Sequence, residues 1–175
     1  MSKKYCTIQD VKNIIPDTFI DDFEPQILKW IEASSIEIDR MTRRSFDVSN
    51  TETRKFDGSG YAKLVIDDII EIDECKVDDN VRDVEHRGSI LYSKSGFPLG
   101  FMNISVTGKF GFSEEIPFDI NYACAFITAQ KALFSKKGVS QVKSEKVGNY
   151  SVTYAEGQDI KNVMKIISSY YKHAF

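Results

Sequence analysis

The chain has 175 residues, 42% of them hydrophobic, 12% aromatic and 28% charged, with a formal net charge of −3. This describes a soluble globular chain long enough to bury its own core, not a disordered tail, and no apolar run approaches the roughly 20 residues that cross a bilayer. Its 23 basic residues are outnumbered by 26 acidic ones and are scattered apart from Arg43-Arg44 and Lys136-Lys137, which disfavours a tight grip on DNA phosphates.

In chain order, Thr7-Ile8-Gln9-Asp10 opens a first short helix: Thr7 can cap it and Asp10, three residues on, sits in the favourable first turn. Val11, Ile14 and Ile15 give it an apolar face and Pro16 ends it, so it packs either on its own core or at a subunit contact. The clearest helix runs from Asp22 to about Arg44, where Ile27, Trp30, Ile31, Ser34, Ile38 and Met41 recur at steps of three and four and Pro25 fits the first turn. Such a helix is a rod on the order of 30 Å long.

Between Ser45 and Ser113 the period becomes that of strands. Asp57-Gly58-Ser59-Gly60 is turn chemistry, Lys63–Asp67 a short strand, and Ile70 and Ile72 alternate with acidic residues up to a hairpin turn at Asp78-Asp79-Asn80. Ser89–Tyr92 and Ile104–Thr107 flank a turn at Gly96, Pro98 and Gly100. From Ile104 to Phe112, the apolar series Ile104, Val106, Gly108, Phe110 and Phe112 alternates with Ser105, Thr107, Lys109 and Gly111. The segment from about 53 to 113 therefore reads as an antiparallel β-meander.

Helix returns at Pro117, with Asp119 in its first turn, small residues Ala123, Ala125, Ala129 and Ala132 for close packing, and Lys136-Lys137-Gly138 at its end. Val139 to Lys146 is polar and patternless, a linker. A short strand follows at Gly148–Tyr154, with Tyr150, Val152 and Tyr154 on one side, and Asp159 caps a last helix whose face is Ile160, Val163, Met164, Ile167 and Tyr170-Tyr171. The lone strand has no obvious local partner; it joins either the chain's own meander or a sheet of another chain. Together these elements predict a single α+β domain over 1–175. It is mainly a helical bundle (helices 7–44 and 117–137) with an inserted antiparallel meander and a C-terminal strand plus helix over about 147–173.

Catalytic signatures are missing. There is no phosphate-cradling Gly-rich loop, no Gly-x-Ser-x-Gly elbow, and the two histidines, His86 and His173, stand apart, so a His-Glu-x-x-His zinc site is excluded. The acidic run of Asp67, Asp68, Glu71, Asp73, Glu74, Asp78 and Asp79 lacks the glycine of a calcium loop and fits solvated strand faces better. Cys6, Cys75 and Cys124 are odd in number and far apart, which suits reduced, buried thiols rather than a disulfide framework or zinc spacing. Met1-Ser2-Lys3-Lys4 leads into polar sequence with no apolar export segment, so synthesis and residence in the cytoplasm are expected. No catalytic residue, cofactor or metal is assigned.

The order of elements resembles one family, the head–tail connector or head-completion proteins of tailed bacteriophages. The residues carrying the likeness are Phe56-Asp57-Gly58-Ser59-Gly60 with Leu64–Asp67, Val106–Phe112, Ile116-Pro117-Phe118-Asp119-Ile120 with Ala123, and Ser144–Val152. The resemblance implies a structural subunit, not an enzyme, that assembles as a ring, typically a dodecamer, on the portal protein of the virion. That ring extends the DNA channel, lets DNA pass without sequence-specific binding, and offers the next connector or tail protein a surface; no membrane is involved. It also implies a portal-binding role for Gly148, Tyr150, Val152 and Tyr154 with the helix after Asp159. Compared with shorter members, the segment from about Ile69 to Phe101 is enlarged. The competing reading is a small intracellular DNA-binding or regulatory protein, which would need a basic face that the acidic balance opposes.

Overall fold

The structure, a computed structural model, describes residues 3–15, 24–137, 144–147, 150–153 and 157–172, with side chains described in 3–15, 24–135 and 159–172. In chain order its elements are α1 (Ile8–Lys12), α2 (Glu24–Thr42), β1 (Glu52–Gly58), β2 (Lys63–Val65), β3 (Ile69–Val77), β4 (Asn80–Val81) and β5 (Glu85–Arg87). They continue with β6 (Ile90–Tyr92), β7 (Gly100–Phe110), α3 (Phe118–Lys137), β8 (Ser144–Val147), β9 (Tyr150–Thr153) and α4 (Gly157–Ser169). The fold is α+β, as expected. Helix does not dominate it, because the chain divides into two compact units and one of them, Arg44–Ile116, is built of strands.

The first unit joins the residues up to Arg43 with Pro117–Lys172. Its α1 begins as the sequence predicts: the Asp10 backbone N–H donates to the Thr7 hydroxyl, and the Asp10 carboxylate accepts from the Thr7 N–H at 2.7 Å, a complete capping box. The helix stops at Lys12, before Pro16 is reached; Pro16 lies outside the described residues, as do Asp22 and the start expected for α2. On α2 the residues buried are Ile27, Ile31, Ser34, Ser35, Ile38 and Thr42. Trp30 and Met41, expected on that face, are only half-buried, and Ser35 and Thr42 take up core positions. They can do so because their hydroxyls donate to carbonyls one turn back, Ile31 O and Ile38 O, both at 2.8 Å. At Arg43 the chain turns out of the helix with φ 56°, and the carbonyl of Thr42 accepts from the N–H of Lys172 at 2.8 Å.

Helix α3 is the centre of this unit and packs against α1, α2 and α4. Ile120, Ala123, Cys124, Ala125, Ala129 and Leu133 are all buried, covering more than one face, as expected of a helix enclosed by others. The alanines keep the neighbouring backbones close. Polar residues in the seams are paired: Thr128 Oγ1 donates to Ser34 Oγ at 3.2 Å, and Lys131 Nζ reaches both Ser34 Oγ at 3.1 Å and Glu37 at 2.6 Å.

The second unit corrects the meander. Neighbouring strands in a meander follow chain order, whereas here the sheets run β1-β7-β3-β4 and β2-β6-β5. The last long strand, β7, lies between the first and the third, so Lys55 pairs with Ser105 and Val77 with Ile104. The reason is burial: β7 is the strand with the strongest alternation, and its inward residues Ile104, Val106 and Phe110 are covered best in the middle of a sheet. They join Leu64, Ile66, Ile69, Cys75, Val77, Leu91 and Phe97 in one core, with Phe56, Ile72 and Val84 at its margin. The polar strand β1 takes the edge, where outward residues meet water. The turn expected at Asp78-Asp79-Asn80 is made by Asp78 and Asp79 alone, both with left-handed φ (47° and 63°), the geometry whose twist matches a hairpin, while Asn80 opens β4.

Candidate functional site

The strand singled out in the sequence has a partner close by. β9 pairs antiparallel with β8, Val147 opposite Tyr150 and Glu145 opposite Val152. This corrects two expectations: residues 144–146 are strand and not linker, and the Tyr150–Thr153 strand, read as lacking a local partner, has one in β8 and joins no other strand among the described residues. The missed signal was Gly148-Asn149, a glycine-led pair of turn residues between two short runs, a common hairpin pattern. Tyr150 and Val152 sit two residues apart on β9, hence on one face of it. Gly148 and Tyr154 lie outside the described residues.

The C-terminal helix, also assigned to this site, presents a second feature. Asp159 lies inside the first turn of α4, not at its cap, and Val163 and Ile167 face inward. Ile160 and Met164, read as part of that buried face, are 45% and 44% exposed. One turn apart, they stand together as an apolar strip beyond the buried seam. The end of α4 is anchored through Tyr170, whose hydroxyl donates to both Asp119 oxygens at 2.9 and 3.0 Å. Burial, the hydrogen bond and the Asp119 charge together push the Tyr170 phenol above its ordinary value of 10.0.

The strand unit carries an exposed feature that sequence reasoning passed over. Leu99 and Phe101 are 84% and 85% exposed, Tyr61 is 74% exposed, and Met102 stands nearby with φ 50°. Tyr61 and Leu99 sit on two loops clasped side by side, and Phe101 and Met102 follow at the start of β7: Gly60 N–H donates to Phe97 O and Phe97 N–H to Tyr61 O, both at 2.8 Å. The Met102 N–H donates to Asp57 Oδ1 at 2.7 Å, and the Gly58 N–H to Asn103 Oδ1 at 2.9 Å. The approach is so close at Gly58 that a Cβ would fall 1.8 Å from Pro98 O. Large apolar side chains are thus held out in water on a braced tip, the pattern of a contact surface. The available signal was three large apolar residues within Gly- and Pro-rich turns.

Other groups are accounted for by local pairing. Arg44 binds Asp68 at 2.7 Å, Arg54 binds Asp67 at 2.8 Å, Lys109 binds Glu71 at 2.6 Å, and Lys76 pairs with Glu74, so four members of the acidic run are taken up in separate ion pairs. A cleft of about 700 Å³ beside β2 and β4 is lined by Lys63, Arg82, Asp83, Glu85, Tyr92 and Lys94, a mixture of both charges. His86 is exposed on β5. Among the described residues no group of three or more His, Cys, Asp or Glu side chains could hold a metal ion, and no helix is long and apolar enough to cross a membrane.

No protein-family model matches the chain, and no curated protein matches it in sequence. Among solved structures it is similar to a chain of the neck of an empty GTA particle computed with C6 symmetry. The two are 11% identical, the likeness covers 93% of this chain and 92% of the other, and the TM-score is 0.58. At that identity what is shared is the fold.

Proposed function

We propose that the chain is a structural, non-catalytic subunit of the neck of a phage-like particle, a head–tail connector that closes into a ring on the portal. The observation that carries this reading is a common fold running through nearly the full length of both this chain and the neck chain. A neck computed with sixfold symmetry fits a ring whose copy number is a multiple of six, and the dodecamer implied by the sequence resemblance is one such ring. In this reading the virion is the chain's destination, and DNA passes through the lumen without being gripped, which an excess of acid over base permits.

Closing a ring takes apolar surface left uncovered on the free subunit. Tyr61, Leu99 and Phe101 on the strand unit, and Ile160 and Met164 on α4, provide it. We assign portal docking to the C-terminal region, Gly148, Tyr150, Val152 and Tyr154 together with the helix that follows them in the chain, α4, and the tail-side or lateral contact to the braced tip. The test is to mix purified chain with portal rings and follow sedimentation and negative-stain images. The intact chain should co-sediment and add an annulus, and an intact chain that ignores the portal overturns the connector reading. Truncation after Val147 should abolish docking, and undiminished co-sedimentation of the truncated chain overturns the docking assignment alone.

A further inference from the structure

Two of the three cysteines, distant in sequence, meet in the helical unit. Cys6 Sγ lies 3.4 Å from Cys124 Sγ across 118 residues of chain, and both side chains are buried. The meeting is enforced from both sides by the backbone of Tyr5. Its N–H donates to Ser35 Oγ on α2 at 3.0 Å, and its carbonyl accepts from Asn121 Nδ2 on α3 at 3.1 Å. The Tyr5 hydroxyl donates to Asp39, and Lys3 Nζ is 2.6 Å from the same carboxylate. The segment before α1 is therefore pinned on two helices, with the Cys6 thiol laid against that of Cys124.

We propose that Cys6 and Cys124 are an oxidation site that a peroxide converts to a disulfide, tying the N-terminal segment to α3. The chemistry balances with hydrogen peroxide as the oxidant. The Cys124 sulfur attacks one peroxide oxygen, the O–O bond breaks, and a sulfenic acid and water result. Cys6, losing its proton, then attacks the sulfenic sulfur and expels the second water. Two thiols are oxidised and one peroxide is reduced to two waters.

The surroundings set the order of attack. Cys124 receives the Cys6 S–H, and the Ser35 hydroxyl lies 3.5 Å away. Chiefly through the Cys6 hydrogen bond its thiol is drawn below the ordinary value of 9.0, while Cys6, the donor, is pushed up by that bond and by burial. A small oxidant suits a pair this enclosed, reached when the five-residue α1 and the segment before it open locally. Cys75, in the strand unit, is buried with its thiol raised by desolvation and serves as an internal control.

The pair does not depend on the connector reading, and purified chain alone tests it. After treatment with hydrogen peroxide the mass should fall by about 2 Da relative to the untreated chain, subsequent alkylation should find one reactive thiol of the three, and dithiothreitol should reverse both changes. A peptide map should show Cys6 joined to Cys124 and Cys75 alkylated. Cys75→Ser should leave the cross-link unchanged, and Cys6→Ser should stop the reaction at oxygen adducts on Cys124. Should Cys6→Ser fail to fold, the map of the unaltered chain decides by itself. Three thiols surviving the oxidant, oxygen adducts without the cross-link, or a link through Cys75 each overturn the proposal.

Discussion

Replacing Gly108 by alanine isolates the packing of the strand unit in a single methyl group. On β7, Gly108 stands opposite Ile72, beside two irregularities in the β3–β7 register, and the backbone of β3 comes unusually close. A Cβ built there falls 2.1 Å from Glu71 O and 3.1 Å from Ile72 Cα, where ordinary Cβ contacts do not come under 3.0 Å. The obstruction is backbone, so no side-chain rotation relieves it and the two central strands must part. Overpacking of this kind costs about 1–3 kcal/mol, and each ladder hydrogen bond strained or lost adds about 1 kcal/mol. A total of about 3 kcal/mol corresponds to a fall of roughly 6–12 °C in melting temperature for a chain of this length. Gly88→Ala is the comparison: its φ is +55° and nothing lies within 4 Å of a Cβ there, so only the left-handed backbone is penalised, by about 1 kcal/mol. Chemical denaturation with circular dichroism reads both variants. If Gly108→Ala costs no more than Gly88→Ala, the close approach of β3 to β7 is wrong.

Arg44→Ala removes the cation from Asp68, a carboxylate only 7% exposed, and should cost about 3 kcal/mol in denaturant unfolding, more than Asp68→Asn, which keeps the shape and removes the charge. Small and equal losses would show that the pair is idle. Asp10 is pushed up by burial, but hydrogen bonds from the Thr7 backbone and hydroxyl and from Asn121 outweigh that and hold it below 3.8. Its charged form is thus favoured by folding, and its contribution is complete above pH 3.8 and lost as pH falls through the depressed value. Thr7→Ala should accordingly cost about 1 kcal/mol at neutral pH, a gap that narrows in acid and that melting curves across pH would measure. Tyr170 behaves oppositely: its neutral form is favoured, so its stabilisation is full below pH 10.0 and disappears as pH climbs through the raised value. Tyr170→Phe should delete a component that titrates above the ordinary tyrosine range from the tyrosinate absorbance curve, and an unchanged curve counts against the Asp119 contact.

Read from sequence alone, the elements with strong local patterns come out close to their true places. The Thr7–Asp10 cap, the Ile27–Ile31–Ile38 face of α2, the Ala-rich α3, the Ile104–Phe110 alternation and the Asp78-Asp79 turn are all legible. Each depends on spacing within one or two turns of chain, where side-chain direction follows from backbone geometry. The proposed docking site was half legible: Tyr150 and Val152 are on a strand, but its partner β8 was hidden in polar sequence whose cue was the residue pair Gly148-Asn149.

What only the tertiary structure decided is which distant pieces meet. Nothing local in Thr53 or Thr107 announces that their hydroxyls lie 2.8 Å apart on neighbouring strands, or that β7 separates β1 from β3. The same is true of Cys6 and Cys124, of the exposure of Leu99 and Phe101, and of the backbone contact that requires Gly108. Periodicity tells which face of an element is apolar. Which other element covers that face depends on the total burial of the assembled core, a sum over contacts between residues far apart in the chain.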